Sequence, residues 1–254
     1  MPSVAHADVA IALAIVVACS TLASSVVAQT AQPSFRPSAW RGGVLFDEDV
    51  RSAMRLREPS DRDLAAAVSD VLLATTVLDV AGIDALVVPL VQRDQVFAWR
   101  ASAAHLLGIG LTVLLGEIVK GASGRARPFE RECRDDPHAA RCRGSDTFEA
   151  FYSLHSGVAF ASAGTSCALH ASRTLDGDVA SDAVSCAISL ALATTTGLLR
   201  VASDRHYLSD VIVGGLVGFL VGYVIPLWIV PERSGPTVST IGLGTVSIRL
   251  SGRF

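Results

Sequence analysis

Val211-Ile-Val-Gly-Gly-Leu-Val-Gly-Phe-Leu-Val-Gly-Tyr-Val-Ile-Pro-Leu-Trp228 contains no charged side chain. As part of an apolar run over 208–230 it is long enough, at ~1.5 Å of rise per residue, to cross the ~30 Å hydrocarbon layer of a bilayer as a helix. Its repeated glycines form the kind of face that lets membrane helices pack closely. Immediately before it lies a stretch of a different kind, Arg200-Val-Ala-Ser-Asp-Arg-His206-Tyr-Leu-Ser-Asp210. If a helix starts there, His206 and Asp210, four apart, share one face. A carboxylate against one ring nitrogen fixes the tautomer and leaves the other nitrogen free to react. Arg200 offers a planar fork of donors to an anion. Taken alone, the stretch reads equally well as a polar connection between helices.

Working upstream, four more apolar segments occupy 183–199, 156–172, 96–119 and 64–91. The first two of these are nearer the ~17-residue lower limit for a span. Segment 64–91 carries Asp70, Asp79 and Asp84, and segment 96–119 carries Arg100 and His105. Such charges are expensive in lipid and must face the bundle interior or the interfaces. Half of the residues are apolar, only 18% are charged, and the mean hydropathy is +0.46. The competing architecture is an all-helical soluble periplasmic protein, but the uncharged stretch at 211–228 favours the membrane. The expected fold is therefore all-α: a membrane-embedded bundle of about five core helices plus an N-terminal signal or anchor. A net charge of −3 argues against nucleic acid as a partner.

The chain divides into 1–28, 29–62, 63–230 and 231–254. The first is an apolar run that ends in Val26-Val-Ala28 before Gln29, like a signal-peptidase site, although no Lys or Arg precedes it. Val16-Val-Ala-Cys19 fits a lipoprotein signal, and an uncleaved anchor is the third reading; all three imply export or membrane insertion. Residues 29–62 form a polar lead-in with a short amphipathic helix around 47–56 and no visible chemistry. The tail after Pro231 is polar and alternates like a strand from Thr237 to Phe254. One strand cannot build a barrel, so the tail is read as accessory.

Cys19, Cys167 and Cys186 lie in apolar stretches and read as small buried hydrophobes. Cys133 and Cys142 share a polar loop that can close as a disulfide in an oxidising compartment. The competing zinc reading would add His138 but lacks a fourth ligand. His105, His138 and His170 are read as structural.

With helices alternating in direction, three connections fall at one end of the bundle. They carry Lys120 and Arg127, then Ser153 and His155, then Arg200 and His206. Counting Lys and Arg near the spans would put this end inside the cell. The export signal and the Cys133–Cys142 pair put it outside, and they weigh more, because arginines kept for an anionic substrate bias the count. The expected location is the cell membrane, the inner membrane of a bacterium, with this end facing the periplasm or exterior.

Lys120-Gly-Ala-Ser-Gly-Arg-Ala-Arg127-Pro128, Phe151-Tyr-Ser153-Leu-His155 and the stretch from Arg200 resemble, in order and spacing, the type 2 phosphatidic acid phosphatase superfamily. That superfamily also includes bacterial non-specific acid phosphatases and vanadium haloperoxidases. Its pattern is K-x6-RP, then PSGH, then SR-x5-H-x3-D, and the likeness covers roughly 64–230. The first motif matches in full; the third has Leu199 where the family has Ser. The second has Leu154 in place of Gly. Aligning Ser156-Gly157 instead would put Val158 at the histidine position, so the register that keeps Ser153 and His155 is preferred. In that register leucine stands where a positive φ would strain it.

The resemblance implies phosphoryl transfer without a metal or cofactor. His206 would be the nucleophile, oriented by Asp210, and His155 would protonate the leaving oxygen and then activate water. Lys120, Arg127, Ser153 and Arg200 would bind the phosphate. The expected substrate is a phosphate monoester or pyrophosphate of lipid-linked character, such as phosphatidic acid or a polyprenyl pyrophosphate. The alternatives are a broad-specificity periplasmic acid phosphatase and a non-catalytic phosphate- or lipid-binding descendant, with a haloperoxidase less favoured in so short a chain. The oligomeric state is not legible.

Overall fold

The computed structural model describes residues 40–138, 142, 145–230, 241–243 and 246–248. The expected signal or anchor, most of the polar lead-in and most of the tail lie outside them. A short helix, α1 (Asp47–Met54), precedes four long apolar helices and a shorter central one. The long ones are α2 (Pro59–Val91), α3 (Gln95–Ser123), α6 (Val179–Ala202) and α7 (Leu208–Ile229). The central one is α5 (Leu154–Ser172), and α4 (Glu130–Asp135) is a short helix in the loop before it. Helix α2 passes through a π-helical stretch at Val80–Val87 before its final turn at Val88–Val91. In the tail, β1 (Ile241–Leu243) pairs antiparallel with β2 (Val246–Ile248).

Helix α5 packs against α2, α3, α6 and α7. This explains its modest hydropathy: nearly every position from Ala159 to His170 is buried by protein, so it needs no lipid-facing leucines. Its closest partner is α7. A Cβ on Gly218 would overlap the carbonyl oxygen of Gly157, and one on Gly222 would overlap that of Ala161. The glycine face read from the sequence thus lets two backbones touch. The outward faces are apolar: Leu78 is 69% exposed and Trp228 85%. A contiguous apolar exterior of this kind needs lipid rather than water around it, which decides against the soluble bundle.

One sequence reading is corrected here. Cys167 on α5 and Cys186 on α6 are not separate buried thiols but form a disulfide. The cysteines belong to apolar runs, and only the packing of two antiparallel helices brings them together. The Cys133–Cys142 disulfide of the polar loop is formed as expected.

Candidate active site

The three motif-bearing connections meet at one end of the bundle, together with α1 and the first turns of α2. Helix α3 ends at Gly124, whose φ of 52° is left-handed, and this turns the chain just after Lys120. Lys120 Nζ lies 3.3 Å from Glu117 Oε1, and the lysine is buried. Arg127 is held from behind: its Nε donates to the Asp146 carbonyl at 2.9 Å, and a guanidinium nitrogen lies 3.0 Å from Asp146 Oδ2.

Ser153 is the N-cap of α5, its hydroxyl accepting from the Ser156 amide at 3.4 Å, while its own amide donates to the Asp210 carbonyl at 3.1 Å. The second motif is thereby tied to the start of the helix that follows the third. Leu154 lies in the first helical turn and is not among the positive-φ residues. The expected strain is absent, and there is room for the side chain. A Cβ on Gly116 of α3 would collide with Leu154 Cδ2, so that glycine provides the space.

His206 is buried, and its Nδ1 lies 2.9 Å from the Ala150 carbonyl oxygen. Since that oxygen only accepts, Nδ1 carries the proton and Nε2 keeps its lone pair. Asp210 is farther off, with Oδ2 at 3.6 Å from Nδ1. The nearest orienting group is therefore a backbone carbonyl, which sequence motifs do not show. Burial, then the charge of Arg127, the His155 ring, Lys120 and Arg200, hold His206 well below the ordinary histidine value of 6.5. The same influences show that these motif residues converge on one imidazole, which stays neutral near pH 7.

His155 and Arg200 share a partner outside all three motifs. Asp70 Oδ1 of α2 accepts from His155 Nε2 at 2.9 Å and pairs with a terminal nitrogen of Arg200. Arg200 Nε also donates to Ser69 Oγ at 2.9 Å. Asp210, in turn, belongs to a buried network around Arg125. That guanidinium pairs with Asp210 and lies 2.8 Å from Asp47 Oδ2, with the Trp40 and Tyr207 rings 4.2 and 4.4 Å away. Asp204, in the loop before His206, accepts two bonds from Arg51 and one from Arg55 of the lead-in. The lead-in that showed no chemistry in the sequence thus supplies the scaffold beneath the site.

Two openings reach this end. One, of about 220 Å³, is lined by Arg41, Arg127, Glu130, Arg131, Arg134 and Tyr207 and is strongly basic. The other, of about 520 Å³, runs from Asp70 and His155 along Leu73, Ala74, Val77, Leu78 and Val158 between α2 and α5. Among the described residues, no group of His, Cys, Asp and Glu with metal-ligand spacing lies at this end.

The chain matches the model of the PAP2 superfamily over residues 101–234. It belongs to that superfamily. No curated protein and no solved structure was found to match. Membership supports phosphoester hydrolysis as the class of reaction and, with the apolar helices, association with a membrane. The match begins within α3, so α2 and its Asp70 lie outside it.

Proposed function

We propose that this PAP2 protein hydrolyses a phosphate monoester or pyrophosphate carried on a lipid, through a phosphohistidine at His206. The observation that carries the reading is the His206 ring: Nδ1 is held by the Ala150 carbonyl, Nε2 is free, and the cations of Arg127, Lys120 and Arg200 act on the ring.

Attack of Nε2 on phosphorus forms an N–P bond as the P–O bond to the leaving group breaks. His155 gives its proton to the departing oxygen, then takes one from the water that cleaves the N–P bond and regenerates His206. Lys120, Arg127 and Arg200 balance charge spread over the equatorial oxygens, and Ser153 and the first amides of α5 add donors. The lipid part of the proposal rests on the apolar groove beside His155. A headgroup held between His155 and Arg200 can leave its hydrocarbon chain against Leu73, Val77 and Val158. The Asp210 role is positioning: it fixes Arg125, and its backbone carbonyl fixes Ser153.

The test is phosphate release by the detergent-solubilised protein from phosphatidic acid, a polyprenyl pyrophosphate and a soluble aryl phosphate. His206→Ala is expected to lower kcat by at least ~10⁴-fold on the lipid substrates. Activity surviving that substitution sinks the mechanism. Equal kcat/KM for soluble and lipid substrates sinks the lipid assignment.

A further inference from the structure

At the opposite end of the bundle, His170 of α5 is surrounded by carboxylates. Its Nδ1 lies 2.6 Å from Asp182 Oδ1 of α6 and 3.7 Å from Asp176 Oδ2, and its Nε2 lies 3.4 Å from Asp84 Oδ1 of α2. His170 is 5% exposed, Asp182 4% and Asp84 6%. The ion pairs described for these three aspartates all converge on this one ring, so three negative groups share at most one positive charge.

Two buried atoms here have no hydrogen-bond partner, His170 Nε2 and Asp182 Oδ2. An orphaned carboxylate oxygen in a nearly sealed cluster costs free energy unless a cation completes it. Ligand atoms of His170, Asp176 and Asp182 all lie within 4.8 Å of one another, as ligands of a single ion do. The arrangement is preformed by covalent means. Cys167 is three residues before His170, Cys186 is four after Asp182, and the Cys167–Cys186 disulfide fixes α5 against α6 in this register.

We infer that His170, Asp176 and Asp182 form a binding site for a divalent transition cation at the end of the bundle opposite the phosphatase motifs. An imidazole with carboxylates suits zinc or manganese better than the all-oxygen preference of magnesium or calcium. The metal takes His170 Nδ1. The ring proton then stands on Nε2, directed at Asp84, whose other oxygen accepts from Ser166 Oγ at 2.6 Å. Such a carboxylate behind a ligating histidine orients the ring and raises its basicity. Asp176 is exposed and gives the ion access from the aqueous face.

The full-length protein in detergent, stripped with EDTA, is titrated with ZnCl₂ and with MnCl₂, the bound metal being counted by mass spectrometry. The expected result is about one equivalent of at least one of the two ions and an upward shift in Tm. Binding is expected to be lost in His170→Gln and weakened at least tenfold in Asp176→Asn. Asp176→Asn alters an exposed side chain and therefore decides the matter if His170→Gln fails to fold. His206→Ala is expected to bind metal as the wild type does, which separates this site from the proposed phosphatase chemistry. Less than stoichiometric binding of both ions, or unchanged affinity in Asp176→Asn, would overturn the assignment.

Discussion

The two ends of the bundle use the same helices to opposite electrostatic effect. At the motif end, Lys120 and Arg200 are buried and Arg127 is half-buried around a neutral histidine. At the far end, Asp84, Asp176 and Asp182 surround another. Histidine is common to both; what differs is the sign of the excess charge beside it. Buried charge of one sign marks a place shaped for a ligand of the other, because an unbalanced cluster costs several kcal/mol that packing alone does not recover. The motif end fits an anion and the far end a cation.

The comparison breaks most visibly at Arg125, a motif-end cation balanced by two carboxylates of the protein itself. Its partners, Asp47 and Asp210, are as buried as it is. Arg125→Met leaves two buried carboxylates unpaired and should lower stability by roughly 3–5 kcal/mol, measured by denaturant unfolding in detergent. Arg125→Lys should recover only part, since a point charge cannot serve both carboxylates or lie flat between Trp40 and Tyr207. A loss below about 1 kcal/mol would show that the network is not the scaffold described here.

Asp70 sharpens the comparison because it is a carboxylate at the wrong end. It pairs with His155 and Arg200 where an anionic headgroup would have to bind, and its side chain is 59% exposed. Asp70→Asn removes a repulsion while loosening the orientation of His155. The expected signature is a split. Inorganic phosphate should inhibit several-fold more tightly, a gain of about 1 kcal/mol after solvent screening, while kcat falls. Both parameters unchanged would mean that Asp70 swings clear of the substrate.

Much of this was legible in the sequence, and what was not has physical reasons. Long apolar runs announce helices that face lipid, and Lys120, Arg127, His155, Arg200 and His206 belong to spaced motifs whose residue types have few other uses together. Asp70 is hidden because a lone acid in an apolar helix looks like a cost until the fold shows whom it faces. Arg125 stands between two recognised motif residues, but its partners Trp40 and Asp47 come from a polar lead-in that carries no motif. The Ala150 carbonyl has no side-chain signature at all. Cys167 with Cys186, and His170 with Asp84, are pairings between helices, so no spacing along the chain encodes them. Leu154 misleads in the other direction: its apparent conflict with the motif disappears once Gly116 is seen to give way.

The smallest expected effect concerns the neutral histidine itself. In the folded chain His206 is held below 6.5 first by burial and then by Arg127, His155, Lys120 and Arg200, whereas in the unfolded chain it titrates normally. Below pH ~6.5 the unfolded state therefore binds a proton that the folded state refuses, and the difference in bound protons makes stability rise with pH. The contribution is fully present above about pH 6.5 and is lost as the pH falls towards the depressed folded value. In His206→Gln this source of acid sensitivity is gone. Thermal unfolding from about pH 7 to about pH 5 should show a shallower fall in Tm for the variant than for the wild type. Parallel slopes would mean that the folded protein takes up the His206 proton as readily as the unfolded chain, so that the proposed nucleophile would lose its Nε2 lone pair already below about pH 6.5.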